Sequence, residues 1–421
     1  MPHPKGVSAE EDAVVVVAAG AIATSEPDAG DPELQRKKGG RRRRRKKRRP
    51  RAPTEEEVAA RRFVLRWAFH GREAASDDDE RGAGPGRAPV RRPRVSVELH
   101  AHSTRSDGTL SPADLVERAH RNGVKVLALT DHDTMAGVQE AVEAAKRYPI
   151  RIIPGVEISA VHSASDESGA EEPVHILAYY SSWGPARPQE LERFLASIRE
   201  GRYARANEIL LKLRALDMPM KLEDVCKIAG NGVAPGRLHV ARAMVDAGYV
   251  DNLRQAFSRY LYDGGPAYAK GSEPTGESVV QLVCQTGGLA VLAHPWALKN
   301  PSAVIKNLKA AGLHGIEAYR SDGKVSGLSD LADIYELLKL GGSDFHGRDD
   351  KEEPDVGSVD LPVLSVFKFL DMAKPIWHNA IKEIFTSISE RTTDFNGSKG
   401  FRRISSAADF CIVRLSSEEQ S

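Results

Sequence analysis

From Val95 onward the chain repeats one pattern: a short apolar run, a polar residue where it ends, and helical periodicity before several of the next runs. The runs are Val95–Leu99, Lys125–Leu129, Ile150–Ile153, Val174–Leu177, Leu289–Leu292, Gly315–Ala318 and Leu337–Leu340. Helical segments such as Pro112–Asn122, with Ser111 as N-cap, and Gly137–Tyr148 separate several of them. Strands alternating with helices predict an α/β fold built on a parallel sheet. Seven of them predict a closed or nearly closed barrel, in which chemistry collects where the strands end. The wide gap between the fourth and fifth runs carries Leu191, Leu195, Ile198, Ile209 and Leu213 at helical spacing. It predicts a helical insertion at about 182–273, resting over one face of the barrel.

The ends of the chain read differently. Residues 1–94 pass through Ala/Val, a Gly/Asp/Pro stretch, a basic block and an acidic cluster, Asp77–Glu80. Only Thr54–His70 has helical character there, with Thr54 as N-cap and Glu55–Glu57 in the first turn. The rest buries too little apolar surface to offset chain entropy, which predicts a largely disordered extension before a folded domain at 95–390. A polar C-terminal tail is expected at 391–421. Charge divides the same way. Lys and Arg number 60 against 59 Asp and Glu, but 13 of the 16 residues Arg36–Arg51 are basic, so the remainder is acidic by about 12 charges.

Three cysteines, Cys226, Cys284 and Cys411, lie far apart without CxxC pairing, which fits a reducing compartment. The early apolar run Ala13–Ala23 is too short to span a bilayer and follows acidic residues, so neither secretion nor membrane insertion is expected. Arg41–Arg49 is unbroken Arg/Lys, the kind of segment that engages nucleic acid or an import receptor. No aromatic residue interleaves with it, so base stacking is not expected of it. The expected location is the nucleus or cytoplasm.

The strand ends hold the chemistry. His100 and His102 follow the first run, then Asp107; Asp131, His132 and Asp133 follow the second; Glu157 follows the third. His175 lies inside the fourth, His294 follows the fifth, and Asp344 and His346 follow the seventh. Side chains at i and i+2 on a strand share a face, close enough to share a cation. Packing alone gives no reason to gather so many ionisable groups on one rim, because unpaired buried charge is costly. Bound cations do. A donor set of nitrogen and oxygen without thiolate points to Zn, Mn, Fe or Mg, and nine candidates exceed the needs of one ion. Two or three ions would use them all, and clustered divalent ions suit phosphate-ester hydrolysis.

The ordered set His100-x-His102, Asp107-Gly108, Thr130-Asp131-His132, Glu157, His175, Ala293-His294-Pro295 and Ser343-Asp344-x-His346 resembles the polymerase and histidinol phosphatase (PHP) family. The resemblance spans about Val95–Ile388 and is closest to the branch of nucleoside 3′,5′-bisphosphate phosphatases and 5′→3′ exoribonucleases. It implies a distorted (β/α)7 barrel with a trinuclear site, often manganese-loaded. The implied metal ligands are His100, His102, Asp107, His132, Glu157, His175, His294, Asp344 and His346, acting through water activated for attack on phosphorus. Gly236-Arg237-Leu238-His239 resembles a Gly-Arg-Pro-His motif of that branch, with Leu238 in place of proline.

On this reading Arg237, and Lys270 after Pro266-Ala-Tyr268, bind a second phosphate, and His239 is a candidate proton donor to the leaving group. Asp131 or Asp133 is expected to orient a ligand imidazole. His120, His162, His314 and His378 lack a carboxylate at motif spacing and read as structural or exposed. The expected partner is a nucleotide or short RNA. The competing readings are a histidinol-phosphatase-like small-molecule phosphomonoesterase, a carbon–nitrogen hydrolase, and a non-catalytic nucleic-acid-binding protein acting through its basic run.

Overall fold

The computed structural model describes residues 53–69, 95–163, 171–230, 232–262, 264–323, 327–348 and 353–395. The basic run Arg36–Arg51, the acidic cluster and the residues beyond 395 lie outside them. Seven strands form one sheet in sequence order: β1 (Ser96–Glu98), β2 (Val124–Leu129), β3 (Arg151–Ser163), β4 (Glu171–Tyr179), β5 (Leu289–Leu292), β6 (Gly315–Glu317) and β7 (Leu338–Leu340). The sheet curls until its two edges meet. A bridge between Ala101 and Phe345 joins the segments leaving β1 and β7. This is the expected α/β barrel of (β/α)7 type.

The expectation of a wholly parallel sheet is corrected at β4, which runs antiparallel to both β3 and β5. The reason is local. β3 continues well past the expected Ile153 to Ser163, and the chain returns as β4 from Glu171. That connection is too short for the crossover a parallel pair requires.

Alternation along the strands separates two apolar layers. In β2, Val126 and Ala128 enter the barrel interior, while Leu127 and Leu129 pack outward among Leu115, Val116 and Ala141. These outer partners belong to α2 (Pro112–Arg121) and α3 (Val138–Ala145). Ser111 caps α2, accepting the Asp114 N–H at 3.1 Å.

The interior is closed at its base by two helices. One is α1 (Glu55–Ala68), inside the segment that reads as an extension, and the other is the long C-terminal α11 (Val363–Phe395). Val64 of α1 and Phe369 and Trp377 of α11 share one apolar cluster with Val97, Leu99, Leu177 and Tyr179 of the barrel. Thr54 caps α1 as expected, through a reciprocal pair of bonds with Glu57. What the sequence did not indicate is the destination of that helix: Phe63 meets Phe367 edge-on at 5.2 Å.

The insertion follows β4. It comprises α4 (Pro188–Ala215), α5 (Leu222–Ala229), α6 (Arg237–Asp246) and α7 (Leu253–Ala256), which runs into a π-helical turn at Phe257–Leu261. These elements enclose a core of their own, including Ile209, Leu213, Val225, Val240, Met244 and Leu261. Helices α8 (Gly276–Gln285) and α9 (Pro301–Ala311), then α10 (Leu328–Ile334), complete the outer layer.

Candidate metal centre and cavity

The exits of β1 and β7 are locked together by backbone bonds. His102 N–H donates to Phe345 C=O at 2.8 Å, and Asp344 N–H to His100 C=O at 2.9 Å. The approach is so close that a Cβ at Gly342 would stand 2.3 Å from the Cβ of His100, so only glycine fits. This pairing lays the His–x–His and Asp–x–His segments side by side, with the His102 and His346 rings stacked at 4.3 Å. The exits of β2 and β3 are joined in the same manner. Asp133 N–H donates to Glu157 C=O at 2.9 Å, bringing His132 against Glu157.

Three strand-end residues, Asp133, His294 and Asp344, have positive φ of 53°, 29° and 54°. Each costs on the order of 1 kcal/mol for a residue with a Cβ, and such outliers persist where the surroundings over-determine them. Their concentration on this rim marks it as a functional surface.

Glu157 stands at the middle. Its Oε2 lies 3.2 Å from His100 Nε2, His102 Nε2 and His132 Nδ1. Its Oε1 lies 3.0 Å from His175 Nδ1 and 3.2 Å from His294 Nε2. Asp344 Oδ1 is 3.2 Å from His102 Nε2, and Asp107 Oδ1 is 3.3 Å from His346 Nε2. The donor atoms fall into three overlapping groups: His102, Asp107, His132 and His346; His100, His102, Glu157 and Asp344; His132, Glu157 and His175. All nine sequence-derived candidates therefore meet in one cluster, His294 joining it through Glu157.

Five orphaned atoms show that this cluster fits cations. His100 Nε2, His102 Nδ1, His132 Nδ1, Asp107 Oδ1 and Glu157 Oε2 are buried and, among the described residues, have no hydrogen-bond partner. They approach neighbours without hydrogen-bond geometry, converging on shared space, although buried polar atoms are normally satisfied. The electrostatics agree. Burial disfavours charge on His100, yet Glu157, Glu317 and Asp344 outweigh it and push its pKa well above the ordinary imidazole value. Burial would raise Asp107, but His346, His132 and His102 hold it well below the carboxylate range. His132 is the exception: burial, with His102 and His175, pushes its pKa well below the ordinary imidazole value despite Glu157 and Asp107.

The expectation that Asp131 or Asp133 orients an imidazole is corrected, since both carboxylates bond elsewhere. Asp131 accepts the Ser103 N–H and hydroxyl at 2.7 Å and the Ser106 hydroxyl at 2.8 Å, which fixes the loop presenting Asp107. Asp133 accepts the Ser159 N–H at 2.7 Å and pairs with Arg202 at 2.7 Å. The imidazole is instead met by Glu317, which sits 3.2 Å from His100 Nδ1. Glu98, fully buried, accepts the N–H groups of His100, Ser343 and Gly357. Both glutamates are the last residues of observed strands, β1 and β6, one position inside the ends of the expected runs.

A cavity of about 640 Å³ opens above the cluster, between it and the insertion. Arg237, His239 and Lys270 line it together with His132, Glu157 and Asp344. Arg237 begins α6 and lies 5.9 Å from the Tyr268 ring. His239 is 5% exposed, and its Nδ1 accepts the Gly236 N–H at 3.0 Å, so the neutral ring carries its proton on Nε2. Burial lowers its pKa to about 4; Arg242, Arg202 and Arg348 add to the drop, while Asp107 opposes it. His239 therefore faces the cavity neutral near pH 7.

Lys270 sits at the rim and pairs with Glu171 at 2.9 Å. Arg199, Arg202 and Arg205 of α4 also line the cavity and were not singled out from sequence, because arginines on an amphipathic helix look like solvated surface; Arg348, in the loop after β7, lines it too. His120 stacks on Tyr148 at 4.7 Å and His314 Nδ1 accepts the Ala290 N–H, both away from the cluster.

Comparison with known proteins agrees with this construction. The PHP domain signature matches residues 98–269. A 3′,5′-nucleoside bisphosphate phosphatase of Chromobacterium violaceum is 34% identical over 291 residues, covering 67% of this chain and 95% of that protein. A 5′-3′ exoribonuclease of Haemophilus influenzae is 36% identical over 260 residues, 59% of this chain and 89% of its own. Among solved structures, a Bifidobacterium adolescentis protein provisionally described as a metal-dependent phosphoesterase superposes with a TM-score of 0.56 at 29% identity. It covers 66% of this chain and 96% of its own. Strand-end imidazoles and carboxylates, the curled sheet and these relatives converge on one assignment: the chain belongs to the PHP family and is a metal-dependent phosphoesterase.

Proposed function

We propose that the protein hydrolyses phosphate esters of nucleotides bearing a further phosphate, either a nucleoside 3′,5′-bisphosphate or the 5′ end of a short RNA. The observation that carries this reading is the placement of a cation-binding cluster and a wall of arginines across one cavity. The nine-residue cluster forms the floor, and the arginines of α4 and α6 form the roof. A simple sugar phosphate needs only the floor. A substrate with two phosphates, or a chain of them, uses both. The names of the two relatives, a bisphosphate phosphatase and an exoribonuclease, fall in that class.

In this reading the nine residues hold two or three divalent cations; their nitrogen and oxygen donors suit Mn, Zn, Fe or Mg, and the family resemblance implies manganese first. Such cations supply activation of water and neutralisation of phosphoryl charge. The chain's own residues do the rest. Arg237 grips the second phosphate with paired N–H donors, and Lys270 adds charge at the rim. His239, neutral with Nε2–H, donates a hydrogen bond toward the phosphate or leaving oxygen; its low pKa disfavours a role as imidazolium acid. The insertion restricts water around the reacting phosphate.

The test offers adenosine 3′,5′-bisphosphate and a 5′-phosphorylated oligoribonucleotide in parallel to purified protein with Mn²⁺, with His100→Ala as blank. Inorganic phosphate from the bisphosphate marks a nucleotide phosphatase, and stepwise mononucleotides mark an exoribonuclease. Activity no higher than the blank on both would overturn the nucleotide reading. Arg237→Ala is expected to raise KM for the bisphosphate by about 10-fold or more, the scale of one charge-assisted hydrogen bond. Turnover of p-nitrophenyl phosphate should change little. A parallel loss on both substrates would place Arg237 outside second-phosphate recognition.

A further inference from the structure

Glu317 ends β6 and is 2% exposed. It belongs to none of the three cation groups, and its two oxygens serve two different strand exits. Oε1 lies 3.2 Å from Nδ1 of His100, and Oε2 accepts the backbone N–H of His294 at 2.8 Å. The two histidines come from opposite parts of the chain, yet their rings lie 6.1 Å apart and nearly parallel, at 23°.

The first contact selects a tautomer. An imidazole that donates Nδ1–H to a carboxylate keeps its lone pair on Nε2. In His100 that atom is buried, lacks a hydrogen-bond partner, and lies between Glu157 Oε2 at 3.2 Å and Asp344 Oδ1 at 3.3 Å. The second contact holds the backbone of His294 in the left-handed region, φ 29° and ψ 53°, from which its Nε2 reaches Glu157. Two donors converging on one side chain require two acceptor oxygens. A carboxylate has them; a carboxamide has one and presents an NH₂ to the other donor.

We propose that Glu317 is the positioning residue of the cation centre, setting the His100 tautomer and the His294 backbone together. The proposal rests on the cation reading of the cluster. Glu317 touches neither substrate nor reacting atoms, and it acts through the two histidines.

The test reads cation affinity directly. Chelator-stripped protein is titrated with Mn²⁺ while the electron paramagnetic resonance signal of free Mn²⁺ reports binding. Glu317→Gln is expected to bind 10- to 100-fold more weakly at its tighter sites, the range typical of partners behind a metal ligand. Its turnover should recover as Mn²⁺ is raised, and it should still unfold cooperatively in chelator. Wild-type affinity in Glu317→Gln would overturn the proposal, as would destabilisation in chelator without any change in affinity.

Should the glutamine variant fail to fold, Glu317→Asp keeps charge and both acceptors at shorter reach. A measurable loss of affinity there supports positioning, and unchanged affinity overturns it. Failure of the wild-type protein to bind Mn²⁺ would instead overturn the cation reading, an outcome the same titration separates from the first.

Discussion

Glu157→Gln is expected to lower kcat/KM on any phosphoester by at least roughly 10³-fold, the scale on which removing a principal electrostatic group acts. One carboxylate serves two of the three donor groups and lies within 3.2 Å of five imidazole nitrogens. The amide removes the negative charge that favours cations there and aims an NH₂ at nitrogens that already compete for acceptors. The backbone pairing of Glu157 with Asp131 and Asp133 is untouched, so the fold should persist.

Stability measurements add a second reading of the same change. Cations bound to the native state alone stabilise it by about 2.7 kcal/mol at a concentration a hundredfold above Kd. The wild-type melting temperature should therefore rise on adding Mn²⁺, and that of Glu157→Gln should rise much less. Full metal content with near-normal turnover in the variant would remove Glu157 from the centre.

The second large effect concerns the joint between insertion and barrel. Arg202 on α4 reaches Asp133, whose side chain is 1% exposed, at 2.7 Å, and Arg199 donates to the Asp133 carbonyl at 2.7 Å. Arg202→Ala leaves a buried carboxylate with only the Ser159 donors. Breaking such a pair from one side costs about 3 kcal/mol, at the low end of the range because Arg202 keeps some solvent contact. Denaturant unfolding should show that loss. The double variant with Asp133→Asn should recover part of it, because the stranded charge is gone. Additive losses would show that the two groups do not interact.

The strand ends were legible because their chemistry runs against burial preference: histidines and carboxylates following apolar runs have few explanations other than a shared ligand. Seven runs in order were enough to anticipate the curled sheet. The direction of β4 was hidden, since an apolar run of four residues carries no polarity and the hairpin with β3 lies in residues whose pattern continues either way. The docking of α1 was hidden for a related reason. Its apolar stripe of Phe63, Val64 and Trp67 shows that it packs, but not against what.

Glu317 escaped notice and Asp133 was assigned the wrong partner because hydrogen bonds reaching across the barrel leave no spacing signal in the chain. Arg202 escaped because only the fold reveals that its outward-looking helix position faces a cavity.

The insertion carries its own apolar core and enters the barrel between two neighbouring strands. The residues proposed to do the chemistry sit on strand exits scattered from His100 to His346, whereas those proposed to choose the substrate crowd into one continuous stretch from α4 to Lys270. Reactivity and selectivity are thus written in separable passages of the same chain. A relative could exchange that one passage as a cassette and acquire a different substrate without disturbing a single strand exit. The graft would have to bring its own counterparts of Leu191, Leu195 and Ile198, which pack into the apolar layer of the barrel, and of Arg199 and Arg202, which bolt α4 to Asp133.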